Sequence, residues 1–347
     1  MTRTFKLSIL AFGAMLCTGA AIAAAPAQPA KADAPMQKVL DALASLGGKP
    51  IETLSPEEAR KQPTPADAVK KVLADQGKST APDAGVTMKT MTVKGPAGDF
   101  PVHIYTPEGK GPFPVMVYYH GGGFVIADTK VYDASPRALA KMAKAIIVSA
   151  DYHRAPENKF PAAPNDAYAA YTWTLEHARE FNGDPSRVAV GGESAGGNLA
   201  TVVSIMARDK QATAPVHQLL VYPVVDNDMT RPSYVANAAA KPLNKPMMEW
   251  FFKHYAADPA SPMALPLKNA DLKGLPSATI VAAEIDPLMS EGKAYADALK
   301  KAGVKVDYKL YKGVTHEFFG MGAVVPKAKD AEQYAADALK KAFAAKK

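Results

Sequence analysis

The chain has 347 residues, of which 48% are apolar and 22% charged, an ordinary composition for a globular protein that can bury a large core. Its net charge of +7 does not indicate a nucleic acid or an anionic surface as partner, because the lysines are scattered among acids without a basic run. The only cysteine, Cys17, lies in the N-terminal segment, so we expect neither disulfides nor thiol catalysis in the rest of the chain.

Residues 1–24 have the layout of a secretory signal peptide: basic residues, an apolar run over 7–16, and then small residues suited to cleavage near residue 24. The apolar run is shorter than the roughly 18 residues that a membrane span needs. We therefore expect a secreted or periplasmic protein without a stable membrane anchor. The Ala- and Pro-rich residues 25–35 predict a disordered lead-in.

Residues 36–80 show helical spacing and no strand pattern. Apolar residues recur every third or fourth position up to Gly47. Further on, Ser55 precedes Pro56 and two glutamates, which is typical of a helix N-terminus. We predict that this segment is a helical element attached to the catalytic fold.

Residues 81–347 have the pattern of an α/β domain. A hairpin is expected from strands at 86–93 and 102–105, which flank a Gly-Pro-Ala-Gly turn. Apolar strand runs then alternate with helical stretches, and they lie at 115–119, 146–150, 188–190, 219–222, 279–283 and 306–311. Such continuous runs indicate a mostly parallel sheet covered by helices on both faces.

The longest insertion between predicted strands covers about 226–275. It contains an apolar helical stretch at 247–252 with more apolar bulk than a connecting segment needs. We expect the insertion to join residues 36–80 in a cap over the site. The alternative is that 247–252 is an ordinary core helix.

The chain is organised around a strand-to-helix turn at 187–208. The strand 188–190 breaks at two glycines, and Gly192-Glu193-Ser194-Ala195-Gly196 fits the pattern G-x-S-x-G. A strand that turns this tightly into a helix holds the serine at strained dihedral angles. Its Oγ then lies at the helix N-terminus, where free N–H groups favour negative charge. The pattern predicts a nucleophile at Ser194, and the alternative is a glycine-rich turn with an inert serine.

Reactive side chains follow four of the predicted strands at the same end. His120 and three glycines follow the strand at 115–119, and Ser194 follows the strand at 188–190. Glu284 and Asp286 follow the strand at 279–283, and His316 follows the strand at 306–311. Because ligands of open parallel sheets gather at the carboxyl ends of strands, we expect these residues to converge. Their order along the chain, serine, acid and histidine, is the order found in α/β-hydrolases.

Six motifs are spread over most of the chain: HGGGF at 120–124, DYHRAPE at 151–157, FPAAPND at 160–166, GESAGG at 192–197, DPLMSEG at 286–292 and GVTHEF at 313–318. With these motifs in this order, the chain resembles the hormone-sensitive-lipase family of esterases, the bacterial family IV carboxylesterases. The resemblance implies an α/β-hydrolase fold, with a mostly parallel central sheet, flanking helices and a helical cap. It also implies a serine carboxylesterase that hydrolyses short- to medium-chain acyl esters through an acyl-enzyme intermediate.

The chemistry gives each residue of the expected triad a role. Ser194 attacks the ester carbonyl, and His316 takes its proton and returns it to the leaving alcohol. Asp286 holds the imidazole in the right tautomer, and Glu284 is the rival acid, with the D-P-L match favouring Asp286. The resemblance implies that the oxyanion is bound by the backbone N–H groups of Gly122, Gly123 and Ala195. The expected substrate-binding residues are Phe124, Glu193, Trp250 and Phe251.

The sequence departs from the family pattern at four places. Glu193 replaces the more frequent Asp, Ser290 replaces an Asp, and Glu317 follows the histidine where Gly is common. The pair His153-Arg154 replaces the usual Arg-Leu. Glu317 can raise the pKa of His316 or reach into the substrate site, and the alternative is a solvated side chain.

The expected partner is a small-molecule ester, without a cofactor. The histidines lack the spacings of metal ligands, so we predict no catalytic metal. The same machinery also suits a polysaccharide deacetylase, a lactonase or an amidase. From a different class, a non-catalytic binding protein of the hydrolase fold is the alternative, and the chain is expected to be a monomer or a homodimer.

Overall fold

The structure is a computed structural model that describes residues 1, 2, 4 and 30–345. The predicted signal peptide, apart from those three residues, and the first part of the predicted lead-in lie outside the described residues. Within the described part, helices of sufficient length and apolarity to cross a membrane are absent.

Within residues 30–345 the chain folds around an eight-stranded sheet. The strands are β1 Val86–Gly95, β2 Gly98–Pro107, β3 Phe113–Tyr119, β4 Ile146–Ala150, β5 Gly183–Glu193, β6 Gln218–Val221, β7 Ala278–Ile285 and β8 Val306–Thr315. Their order in the sheet is β1-β2-β4-β3-β5-β6-β7-β8. β1 and β2 form the predicted hairpin, β2 pairs antiparallel with β4, and the other neighbours are parallel. The predicted α/β-hydrolase architecture is confirmed.

The helices of the described residues are α1 Ala34–Ser45, α2 Pro56–Ala59, α3 Pro65–Asp75, α4 Ala134–Ala143, α5 Ala162–His177, α6 Ala195–Asp209, α7 Pro232–Ala236, α8 Lys245–Tyr255, α9 Pro266–Asn269, α10 Met289–Lys301 and α11 Pro326–Ala344. Helices cover both faces of the sheet because successive strand residues point to opposite sides. In β3, Val117 enters one core cluster with Leu199 of α6, whereas Met116 enters the other with Leu339 of α11.

The lead-in predicted over 25–35 is ordered at its end, so that part of the prediction is wrong. α1 begins at Ala34, because the side chain of Asp33 accepts the N–H of Met36 at 3.0 Å and caps the helix. The N–H of Asp33 also donates to the carbonyl of Gly313 at 2.8 Å. A composition rich in Ala and Pro predicted disorder, but this cap and this long-range hydrogen bond hold the backbone in place.

The segment that contains α1–α3 is tied to the rest of the molecule by two anchors. The indole N–H of Trp250 in α8 donates to the carbonyl of Leu54 at 3.1 Å. Arg60 forms a two-point ion pair with Glu157 at 2.7 and 2.8 Å and donates to the carbonyl of Val125 at 2.8 Å. The N-terminal helices and the insertion therefore meet above the loop that follows β3.

Candidate active site

Ser194 lies in a tight turn between β5 and α6. Its φ of 57° and ψ of −118° are strained values for a residue with a side chain. The turn is possible because Gly196 has no side chain: an added Cβ would overlap the carbonyl oxygen of Tyr119. The N–H of Ser194 donates to the carbonyl of Val221 at 2.9 Å, which fixes the turn on β6. The strain that the G-x-S-x-G pattern predicts is present.

The three residues of the expected triad lie together where β5, β7 and β8 end. Ser194 Oγ is 3.0 Å from His316 Nε2, and His316 Nδ1 is 2.7 Å from Asp286 Oδ2. The other carboxylate oxygen of Asp286 accepts the N–H of Leu288 at 2.8 Å. All three side chains are buried. The structure therefore brings a hydroxyl, an imidazole and a carboxylate into one hydrogen-bonded chain.

Glu284, the rival acid of the sequence analysis, lies away from this chain. Its Oε2 accepts the N–H of Gly313 at 2.8 Å, and this contact holds β8 where the backbone has a φ of 70°. Of the two acids at the end of β7, Asp286 is the one that bonds His316.

The glycine loop after β3 supplies amides next to the serine. Gly122 has a φ of 95° and Gly123 a φ of 58°, and a Cβ at Gly123 would overlap the ring of Phe251. The carbonyl of Gly122 accepts the N–H groups of Val125 and Ile126, which closes the loop. Three N–H groups lie next to the serine, those of Gly122, Gly123 and Ala195. Among the described residues, none of the three takes part in the backbone hydrogen bonds formed outside helices and strands. These amides are available to a bound oxygen.

Ser194 and His316 open into a cavity of about 450 Å³. The other lining residues come from residues 36–80, from the insertion at about 226–275, from the glycine loop and from the loop after β8. They include Leu40, Leu43, Ile51, Gly122, Gly123, Met247, Met248, Phe251 and Glu317. The wall is predominantly apolar, as in most sites for small organic ligands. Of the expected substrate-binding residues, Phe251 lines this cavity.

The expectation that Phe124, Glu193 and Trp250 contact substrate is not met, because none of them lines the cavity. The ring of Phe124 stacks on Tyr255 with centroids 3.9 Å apart, inside the core. The indole N–H of Trp250 donates to the carbonyl of Leu54. Helical spacing places neighbouring residues of α8 on different faces, so Phe251 reaches the cavity and Trp250 does not.

Glu193 is fully buried beneath the nucleophile. Its two carboxylate oxygens each accept a hydroxyl, one from Tyr118 and one from Tyr222, both at 2.5 Å. Burial, together with the nearby charge of Glu317, raises the pKa of Glu193 to about 8. Neither tyrosine was predicted as a site residue, although each lies at the end of a predicted strand next to the reactive residues.

Replacing Glu193 by Gln is expected to remove a pH dependence of stability. The pKa of Glu193 is about 8 in the folded protein and near 4.5 when unfolded, so the folded state binds the proton more tightly. The wild type therefore loses stability as pH rises from about 5 to 8, by up to about 1.4 kcal/mol per pH unit from this group. Denaturant unfolding at several pH values measures how the free energy of unfolding changes with pH. If this change is the same in wild type and variant, the expectation is contradicted.

His316 is surrounded by groups that act on its charge. Burial alone lowers its pKa, but the charge and hydrogen bond of Asp286, with the charges of Glu317 and Glu193, raise the pKa above its ordinary value. The ring of Tyr222 lies against the imidazole with centroids 4.3 Å apart. The imidazolium form that a general base passes through is therefore favoured here.

Within the part of the chain that the structure describes, no three His, Cys, Asp or Glu side chains are grouped so as to hold a metal ion.

Comparisons with known proteins show which family the chain belongs to. A family model described as the α/β-hydrolase fold matches residues 116–320. The carboxylic ester hydrolase LipN of Mycobacterium tuberculosis is 41% identical over 249 residues, which are 69% of this chain and 66% of LipN. The chain belongs to the hormone-sensitive-lipase family of esterases. The chain is therefore a carboxylic ester hydrolase, as its motifs implied.

Two further similar proteins match over more of their length. An ethyl acetate hydrolase of Pseudomonas putida is 33% identical over 297 residues, covering 84% of this chain and 91% of the relative. The crystal structure of a thermostable esterase from Pseudomonas putida superposes with a TM-score of 0.82 at 34% identity, covering 91% of this chain and 99% of the esterase. The fold is thus shared over 91% of this chain with a solved esterase.

Proposed function

We propose that the chain is a serine carboxylesterase that hydrolyses short- to medium-chain acyl esters through an acyl-enzyme intermediate. The observation that carries the proposal is the hydrogen-bonded chain from Asp286 through His316 to Ser194 Oγ, which ends at the cavity. A hydroxyl becomes a useful nucleophile when a positioned base accepts its proton, and this chain supplies that base.

In the acylation step, Ser194 Oγ attacks the ester carbonyl carbon while His316 Nε2 accepts the hydroxyl proton. The tetrahedral intermediate collapses, the bond to the alcohol oxygen breaks, and His316 returns the proton to that oxygen. A water molecule then repeats the sequence on the acyl-enzyme and releases the acid. Asp286 keeps Nδ1 protonated and stabilises the imidazolium in both steps.

The negative oxygen of each intermediate is bound, in this proposal, by the N–H groups of Gly122, Gly123 and Ala195. Glycine is needed at the first two positions because their φ angles are positive and because side chains there would block the loop. Ala195 is the first residue of α6, where the N–H has no partner within the helix. Donors fixed in this way typically contribute about 3–4 kcal/mol each to the stability of the transition state.

Two observations support a preference for short acyl chains. The cavity of about 450 Å³ is at the small end of the range for ligand pockets, and Phe251 and Met248 of α8 close one side of it. A relative that matches over most of its length bears the name ethyl acetate hydrolase.

A series of 4-nitrophenyl esters from acetate to palmitate tests the proposal, with the Ser194→Ala variant as background control. We expect kcat/KM to be highest for short acyl chains and to fall beyond about eight carbons, because longer chains exceed the cavity. A fluorophosphonate probe should label Ser194, as located by mass spectrometry. If kcat/KM rises toward palmitate, the preference for short acyl chains is contradicted. If the protein shows neither turnover nor labelling, the proposal that it is an esterase is contradicted.

A further inference from the structure

Glu317 lies beside the triad, and the proposed mechanism gives it no part. Its backbone has a φ of 68°, a left-handed conformation that favours glycine, so a side chain is kept here against the local preference. Glu317 is one of the residues that line the cavity of Ser194 and His316, and it also lines a neighbouring cavity. Its Oε1 is 3.7 Å from His316 Nε2, the same nitrogen that faces the serine hydroxyl.

The carboxylate of Glu317 is held in place by a neutral donor. Both of its oxygens lie near the hydroxyl of Tyr132, at 2.6 and 2.7 Å. Tyr132 is itself buried against the glycine loop, where a Cβ on Gly121 would overlap its hydroxyl. The orientation of the carboxylate is therefore fixed by a side chain that cannot readily move.

This carboxylate has acceptor capacity that the protein does not use. A carboxylate offers about four lone-pair sites, and the single O–H of Tyr132 can fill one of them. Among the described residues, no lysine or arginine pairs with Glu317, whose side chain is 21% exposed. An acceptor that is largely shielded from water and lacks donors is costly, so a donor arriving in the cavity is favoured. Burial also raises the pKa of Glu317, in keeping with this shortage of partners.

The position of Glu317 identifies which part of an ester it meets. His316 Nε2 returns the proton to the alcohol oxygen, so that oxygen comes close to Nε2. A carboxylate 3.7 Å from Nε2 on the cavity side consequently flanks the alcohol and its first carbons. His316 becomes positively charged in the transition state, which disfavours a second cation at this place and favours a neutral hydroxyl.

We propose that Glu317, held by Tyr132, accepts a hydrogen bond from a hydroxyl on the alcohol part of the substrate. The enzyme then favours esters of diols and polyols over esters of simple alkyl alcohols with the same acyl chain. This inference rests on the proposed function, and it adds the class of leaving alcohol.

The test compares glycerol 1-butyrate with propyl butyrate, which share the acyl group and a three-carbon alcohol. For the wild type we expect kcat/KM to be higher for the glycerol ester. In Glu317→Gly, whose backbone suits the left-handed φ, the ratio of the two kcat/KM values should fall about tenfold or more. The loss should fall mainly on the glycerol ester.

The matched control is Glu284→Gln. Glu284 is a carboxylate outside the cavity wall, bonded to the N–H of Gly313 at 2.8 Å, and we expect its replacement to leave the ratio unchanged. Tyr132→Phe removes the hydroxyl that holds Glu317 and should lower the ratio as well, so it carries the test if Glu317→Gly does not fold.

The outcomes separate the two proposals. A wild type that hydrolyses propyl butyrate, with a ratio that neither variant alters, overturns the role of Glu317 and leaves the esterase intact. A wild type that hydrolyses neither ester nor any 4-nitrophenyl ester overturns the proposed function itself. Equal losses on both esters contradict recognition of the alcohol and indicate a general effect on His316.

Discussion

Replacement of Asp286 by Asn is expected to lower kcat/KM on 4-nitrophenyl butyrate by about 10⁴-fold while the protein remains folded. The carboxylate accepts the Nδ1–H of His316 at 2.7 Å, and this contact leaves Nε2 free to take the proton of Ser194. An amide in its place can donate to Nδ1, which puts the imidazole proton on Nε2 and removes the base. It also withdraws the negative charge that stabilises the imidazolium.

The chain offers a matched control two residues earlier. Glu284→Gln makes the same change from carboxylate to amide at the end of the same strand, but Glu284 bonds the N–H of Gly313 instead of the histidine. An amide oxygen can still accept that N–H, so we expect less than about a tenfold loss. Steady-state kinetics measures kcat/KM of both variants, and circular dichroism checks that both remain folded. Full activity in Asp286→Asn, or equal losses in the two variants, contradicts the assigned role of Asp286.

The three residues of the proposed triad could be located from sequence because the sheet strongly constrains where they lie. Each of the strands β3, β5, β7 and β8 is marked by apolar residues, so each strand end could be found to within a few residues, and parallel strands present those ends at one edge. The structure brings Ser194, His316 and Asp286 together there. The choice between Asp286 and Glu284 rested on a motif, because alternation along a strand points both acids the same way.

What the sequence could not supply was the set of partners that a buried polar group takes. Glu193 was expected to contact substrate, but Tyr118 and Tyr222 reach it from neighbouring strands and hold it below the serine. The partner of Glu317 is 185 positions away along the chain. Pairs of this kind depend on how strands and loops stack, and no local pattern records them.

The predicted end of the strand before Ser194 was wrong. The strand was expected to end at residue 190 because two glycines follow it, but β5 continues to Glu193. Gly192 lies so close to its neighbours that a side chain there would overlap the carbonyl oxygen of Tyr119 on β3 and the backbone of Gly196. Glycine there permits close packing instead of marking a break.

Gly196→Ala is expected to cost at least about 3 kcal/mol of unfolding free energy, or to abolish soluble expression. The added Cβ would overlap the carbonyl oxygen of Tyr119 and lie 2.6 Å from that of His120. Both obstacles are backbone atoms at the end of β3, so no rotamer change relieves the overlap. Relief requires that α6 move away from β3, which would carry Ser194 out of reach of His316.

Gly292→Ala provides the control, since both glycines are buried and lie in helices that follow a strand of the same sheet. At Gly292 the nearest atom to an added Cβ is Cδ of Pro223 at 3.9 Å, an ordinary contact. Alanine suits a helix better than glycine, so this variant should gain about 0.5–1 kcal/mol. Denaturant unfolding of both variants separates the effects. A Gly196→Ala protein as stable as the wild type would mean that α6 and β3 are not packed as closely as described, and the geometry that aligns Ser194 with His316 would have to be revised.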